Sequence, residues 1–90
     1  MATTAPMARV AHARIVYAPH ILGGEPTVRG TRVPVRAVVL MHRLSPEMAR
    51  LRQAFPMLTG DDITAALCFY DAHQAEIERY IAENVPGDQG

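Results

Sequence analysis

Prolines punctuate the middle of this chain and limit the length of every helix that can form there. Pro34 holds Val33 extended, because a residue before proline is pushed away from helical backbone angles. It can itself open a helix, where its missing N–H is not needed. Pro46 fits the first position of a second helix, with Ser45 as cap and Glu47 near the positive end of the dipole. Pro56 ends that helix. Thr59-Gly60-Asp61-Asp62 starts a third, with Thr59 capping and Asp62 in the capping-box position. From residue 34 onward the chain reads as three or four short helices.

Apolar spacing gives each helix an expected face. Leu44, Met48, Leu51 and Phe55 form a 4-3-4 stripe that leaves Arg50 and Arg52 off the core line. Between Ile63 and Tyr70 nearly every residue is apolar: Ile63, Ala66, Leu67 and Tyr70 share one side, and Ala65, Cys68 and Phe69 the other. A helix apolar all round is central to the fold or covered by another chain. In a domain this small the second option marks Leu67, Phe69 and Tyr70 as an oligomer interface. The last helix, 74–84, sets Ile77, Tyr80 and Ile81 inward, with Glu76, Glu78 and Glu83 outward.

Ahead of the helices lies a small β element. Ile15-Val16-Tyr17 is β-prone, and Pro19 to Pro26 is turn-rich. Thr27-Val28-Arg29 and Arg32-Val33 surround Gly30 as a hairpin would, with Gly30 free to take a positive φ. Residues 1–13 read as a flexible leader, 14–85 as one helical domain with an N-terminal β hairpin, and 86–90 as a flexible tail. Ninety residues suffice for a single core and no more.

Charge is unevenly placed. There is no lysine; residues 1–52 hold eight arginines against Glu25 and Glu47, net +6, while residues 53–90 hold Arg79 against seven acids, net −6. Such a split provides one face for phosphate or an acidic partner, or else two halves that complement each other within a monomer or homodimer. No segment has the apolar run of a signal peptide or a membrane span, so a cytoplasmic protein is expected.

Catalytic readings are weak. His12, His20, His42 and His73 lie in unlike segments, none four residues from a second ligand on a helix, so no metal or other cofactor is expected. Asp61 and Asp62 are adjacent and suit a helix start better than an acid–base pair. Cys68 reads as a small buried hydrophobe, and His42 as a charge favourable to a helix C-terminus. The helices either side of Pro56-Met57-Leu58 have helix-turn-helix spacing, but the second begins with two carboxylates and carries no Arg, Asn or Gln to read bases. Any nucleic-acid contact falls to Arg29, Arg32, Arg36, Arg50 and Arg52. The alternative roles are solvated hairpin residues for Arg29 and Arg32, and for Arg32 hydrogen bonding to loop carbonyls.

The run Gly23-Gly24-Glu25-Pro26-Thr27-Val28-Arg29-Gly30-Thr31-Arg32-Val33-Pro34-Val35 is the most distinctive stretch. With Leu44-Ser45-Pro46-Glu47, Phe55-Pro56-Met57-Leu58-Thr59 and Ala65-Ala66-Leu67-Cys68-Phe69-Tyr70, it resembles the domain of unknown function 433 family over residues 15–82. Two departures change local charge: Glu25 stands where that family commonly has lysine, and Arg50 and Arg52 where it commonly has acids. The resemblance implies a mainly α, homeodomain-like helix-turn-helix bundle behind a small β element. It implies a non-enzymatic antitoxin of the VapB type in a type II toxin–antitoxin pair. Such a protein neutralises a PIN-like ribonuclease toxin and binds its own operator DNA as a homodimer. A stand-alone helix-turn-helix transcriptional regulator is the first rival, and a small hydrolase or nuclease the second.

Overall fold

A computed structural model describes residues 9–19 and 22–84. In chain order the elements are β1 (Arg9–His12), β2 (Ile15–Tyr17), a 3-10 turn (Leu22–Gly24), β3 (Pro26–Val28), α1 (Val35–Leu44), α2 (Met48–Ala54), α3 (Gly60–Ala72) and α4 (Gln74–Glu83). The fold is mainly helical, with a small antiparallel sheet at its N-terminal side, in the order β1-β2-β3.

Strand β2 pairs with β3 in the register Ile15↔Val28, Val16↔Thr27, Tyr17↔Pro26. Pro26 takes the first position of an edge strand, where the lost amide interrupts no ladder. Residues 9–12, read from sequence as part of a flexible leader, instead form β1 against β2, with a bulge between Val10 and His12. Their two-residue link to β2 makes that pairing local and cheap in loop entropy. Residues 1–8 of the expected leader, the expected tail 86–90 and Val85 lie outside the described residues.

The expected hairpin around Gly30 is a tight return closed by Val28 N–H to Val33 O (2.9 Å) and Thr31 N–H to Val28 O (3.1 Å), with one further bridge between Thr27 and Pro34. Gly30 has φ +79°, a region that a side chain at this position would strain. Thr31 fixes the turn twice: its hydroxyl donates to Val28 O (2.8 Å) and accepts from the Val33 amide (3.0 Å).

Helix α1 starts where Pro34 directs and buries Val35, Val38 and Val39, packing most extensively on α3. The core joins these valines to Ile15 and Val28 of the sheet, Leu51, Leu58, Ile63, Ala66, Phe69 and Ile77. Helix α3 has the capping box its sequence predicts. The Asp62 amide donates to Thr59 Oγ1 (3.1 Å), and the Thr59 amide donates to Asp62 Oδ2 (3.0 Å). His73 closes α3 and opens α4: its amide donates to Tyr70 O, and its carbonyl accepts from Ile77.

Three local expectations change. Ser45 does not cap the second helix; it ends α1, its amide donating to Met41 O (2.8 Å), and α2 begins only at Met48. Ser45 to Glu47 serve as an extended connector, because the phase of α2 is set by its one buried residue, Leu51. The stripe through Leu44 and Met48 is therefore half outside: Leu44 is 80% exposed and Met48 39%. On α3, Phe69 is buried while Cys68 is exposed, so the cysteine is no core hydrophobe. Among the described residues no helix is long and apolar enough to cross a membrane.

Candidate functional site

The arginines sort into two groups by what they touch. Arg14, at the end of the β1–β2 turn, reaches across to the start of α3, donating to Asp62 Oδ1 (2.9 Å) with Asp61 3.7 Å away. The Thr59 amide first, and Arg14 second, hold the Asp62 carboxyl below its ordinary pKa, since each bond favours the ionised form. Arg36, in the first turn of α1, donates through Nε to both oxygens of Glu25 (2.9 and 3.2 Å). That pair is largely withdrawn from water, and Glu25 itself is buried.

Arg43 joins Tyr70 and Glu78, so one cluster ties α1, α3 and α4 together. The hydrogen bond from Tyr70 leads in holding Glu78 below its usual carboxylate range, with Arg43 adding to it, and the same bond raises the Tyr70 hydroxyl. Arg79 sits 3.8 Å from Glu83 and lies over the Tyr80 ring.

Arg29, Arg32, Arg50 and Arg52 form the second group. All four are exposed, and no carboxylate or carbonyl of the described residues holds them. Arg29 and Arg32 flank Gly30 on the Thr31-braced return. The Arg29 amide donates to Arg14 O (2.8 Å), which anchors this end of the return to the sheet. Beside it an open cleft of about 330 Å³ is lined by Ala13, Arg14, Arg29 and Asp62. Arg50 and Arg52 project from α2 on either side of the Leu51 line.

Of the five arginines expected to bind a partner or nucleic acid, Arg29, Arg32, Arg50 and Arg52 are exposed and unpaired among the described residues, whereas Arg36 is claimed by Glu25. The carbonyl-binding role weighed for Arg32 belongs to its neighbour Thr31, whose shorter side chain already sits inside the turn.

The proposed oligomer face needs the larger correction. Phe69 is only 3% exposed, packed edge-on to Tyr17 (6.1 Å) and stacked on His73 (4.0 Å), so it belongs to this chain's own core. Tyr70 is half-buried in the Arg43–Glu78 cluster, and Leu67 half-buried against the core. Sequence reasoning missed Arg14 and Arg43 as cross-linking residues. Their partners lie 48 and 35 positions away, and only the charge split between the two halves hinted at them.

Acidic and imidazole groups do not converge: among the described residues no cluster of three or more His, Cys, Asp or Glu side chains could hold a metal ion. Asp61 and Asp62 are occupied by the helix start and Arg14.

Comparison with known proteins places this arrangement. Residues 15–70 match the family described as "Protein of unknown function (DUF433)". An uncharacterized protein, y4eO, of Sinorhizobium fredii (strain NBRC 101917 / NGR234) is 33% identical over 72 residues, 80% of this chain and 33% of that protein. The chain thus spans about a third of that relative's length. The crystal structure of a DUF433 member protein from Anabaena variabilis ATCC 29413 is similar with a TM-score of 0.71 at 32% identity, over 77% of this chain and 68% of the other. A match across more than half of the residues, with the same fold in a solved member, shows that the chain belongs to the DUF433 family.

Proposed function

We propose that the chain is a non-catalytic binding protein, an antitoxin of a type II toxin–antitoxin pair. In this reading it works in the cytoplasm, neutralises a PIN-like ribonuclease toxin, and uses a homeodomain-like framework to do so. The observation that carries the proposal is the hairpin return: Arg29 and Arg32 stand exposed and unpaired on backbone that Thr31 and Gly30 hold rigid. A nuclease of that class gathers carboxylates around a metal. A guanidinium engages a carboxylate through two parallel hydrogen bonds, and one fixed on a rigid turn loses little freedom on binding. Arg29 or Arg32 in such a site would keep metal or RNA out.

The adjacent reading frame is the first check, and a small nuclease there with an acidic site supports the reading. Co-expressed with it, the chain should co-purify and suppress cleavage. The double variant Arg29→Ala/Arg32→Ala should weaken the complex by at least about tenfold while leaving thermal unfolding unchanged. An unaltered complex removes the hairpin from the mechanism. RNA cleavage by the purified chain, lost on Asp61→Ala or Asp62→Ala, would overturn the binding reading itself.

Operator binding as a homodimer belongs to the same proposal, and a stand-alone helix-turn-helix regulator is its rival. Favouring DNA, α2 and α3 are joined by a short turn, and Arg50 and Arg52 are free. Against standard docking, the start of α3 presents Asp61 and Asp62 where phosphate would lie. Salt separates the two: about six phosphate contacts give a log–log slope near −5, whereas a protein–protein inhibitor depends on salt more weakly.

A further inference from the structure

Strands β2 and β3 bring two arginines face to face. Their register, Ile15↔Val28, runs one step further, because the Arg29 amide donates to Arg14 O (2.8 Å). Arg14 and Arg29 therefore stand opposite each other, where cross-strand side chains meet and like charges repel. Both line the same open cleft of about 330 Å³, with Ala13 and Asp62 as its other walls. Asp62 neutralises Arg14 there, its two oxygens engaged by Arg14 (2.9 Å) and by the Thr59 amide (3.0 Å). Arg14 stays 45% exposed, so it still presents a side to the cleft. Arg29 has no such acid among the described residues, and its positive charge faces the cleft uncompensated.

From this we infer that the cleft takes one carboxylate, an aspartate or glutamate side chain of a partner protein, held chiefly by Arg29 with Arg14 as the second guanidinium. The inference rests on the binding reading above and names the arginine of the return that does the binding. Arg29 lines the cleft; Arg32 does not. A guanidinium meets a carboxylate through two parallel hydrogen bonds. The backbone of Arg29 is fixed on both sides, by its own amide on Arg14 O and by the Thr31-braced return, so little freedom is lost on binding.

Asp61 decides against a nucleic acid in this place. It stands beside the cleft, 84% exposed and 3.7 Å from Arg14. A single carboxylate can enter between the two guanidinium groups and leave Asp61 in water. A nucleic-acid strand carries a phosphate at every nucleotide, and those flanking the bound one would meet the charges of Asp61 and Asp62.

The test uses the full chain and a tripeptide of alanine, glutamate and alanine with both ends blocked. Binding is followed through the arginine side-chain Nε–H resonances at constant ionic strength. Those of Arg29 and Arg14 should shift saturably, with a midpoint on the order of 10 mM. Arg50 and Arg52, exposed but outside the cleft, should show no saturation, and a tripeptide with glutamine for glutamate should saturate nothing. Arg29→Gln should weaken binding at least about fivefold, and Arg32→Gln should leave it unchanged, with core amide resonances unmoved in both. A thymidine tetranucleotide should bind more weakly than the glutamate tripeptide, and Asp61→Asn should narrow that gap. Equal shifts with the glutamine tripeptide, an Arg32→Gln loss as large as that of Arg29→Gln, tighter binding of the tetranucleotide, or no saturation up to about 100 mM would each overturn the inference. The titration needs no toxin. Its failure beside an intact toxin complex removes the cleft alone, whereas its success without any complex leaves the carboxylate site standing and removes the toxin.

Discussion

Helices α2 and α3 are neighbours joined by a five-residue link, yet the chain treats them differently. Helix α3 runs 13 residues, is capped reciprocally by Thr59 and Asp62, and buries Ile63, Ala65, Ala66 and Phe69. Helix α2 runs seven residues, has no side-chain cap, and buries Leu51 alone. An isolated helix of that length is unstable, so a single side chain and the flanking prolines hold α2 in place. The difference separates scaffold from display. Helix α3 spends its apolar surface on the core, and α2 leaves most of its surface, including Arg50 and Arg52, for something else.

The largest expected effect is on the scaffold side. Ile63→Ala removes a fully buried α3 side chain from the core and should cost about 3–4 kcal/mol in urea unfolding. All probes should lose stability together. Leu51→Ala should cost less, about 2–3 kcal/mol, because α2 can open alone and cap the loss. Hydrogen exchange checks the distinction: in Leu51→Ala the amides of 48–54 should exchange well before those of 60–72. Equal protection in both helices would erase the contrast.

The next effect is on caps. Thr59→Ala removes one half of the box and should destabilise by about 1 kcal/mol. Ser45→Ala, at the expected cap that never formed, should change thermal unfolding by no more than a few tenths of that. A Ser45→Ala cost as large as that of Thr59→Ala would mean α2 is capped after all.

These pairs also show what the sequence could and could not reveal. Pro34, Pro56 and the Thr59–Asp62 box were legible because each acts through backbone within three or four residues. Ser45 carried the same kind of signal, but the phase demanded by Leu51, a tertiary fact, overrode it. The helix from Ile63 to Tyr70 gave no unique inner face because apolar residues surround it, so Phe69 was read outward although it packs between Tyr17 and His73. In the candidate site, exposure of Arg29, Arg32, Arg50 and Arg52 followed from their positions off the apolar lines. The loss of Arg36 to Glu25 did not: the two lie 11 residues apart, and only the return through β3 and Gly30 brings them together. The strand Arg9–His12 was missed because its alternation is too short to stand out before its pairing with β2 is known.

The smallest effect tests the same contrast through pH. Thr59 and Arg14 lower the Asp62 pKa in the folded chain, and no such pair exists in the unfolded one. A lowered folded pKa contributes stability that is fully present above the unfolded carboxylate value, near about 3.9, and disappears as pH falls through the folded value. Unfolding in urea should therefore show an acid-side decline that Asp62→Asn flattens, with the variant's deficit greatest near neutral pH and shrinking below pH ~4. Glu78 is shifted in the same direction by Tyr70 and Arg43, but its cluster is exposed to solvent, where such pairs contribute little. Glu78→Gln should then leave the decline almost intact. Curves for wild type and Asp62→Asn that stay parallel from pH 7 to pH 3 would mean the carboxylate at the start of α3 adds nothing by its charge, and that the cap holds the helix through geometry alone.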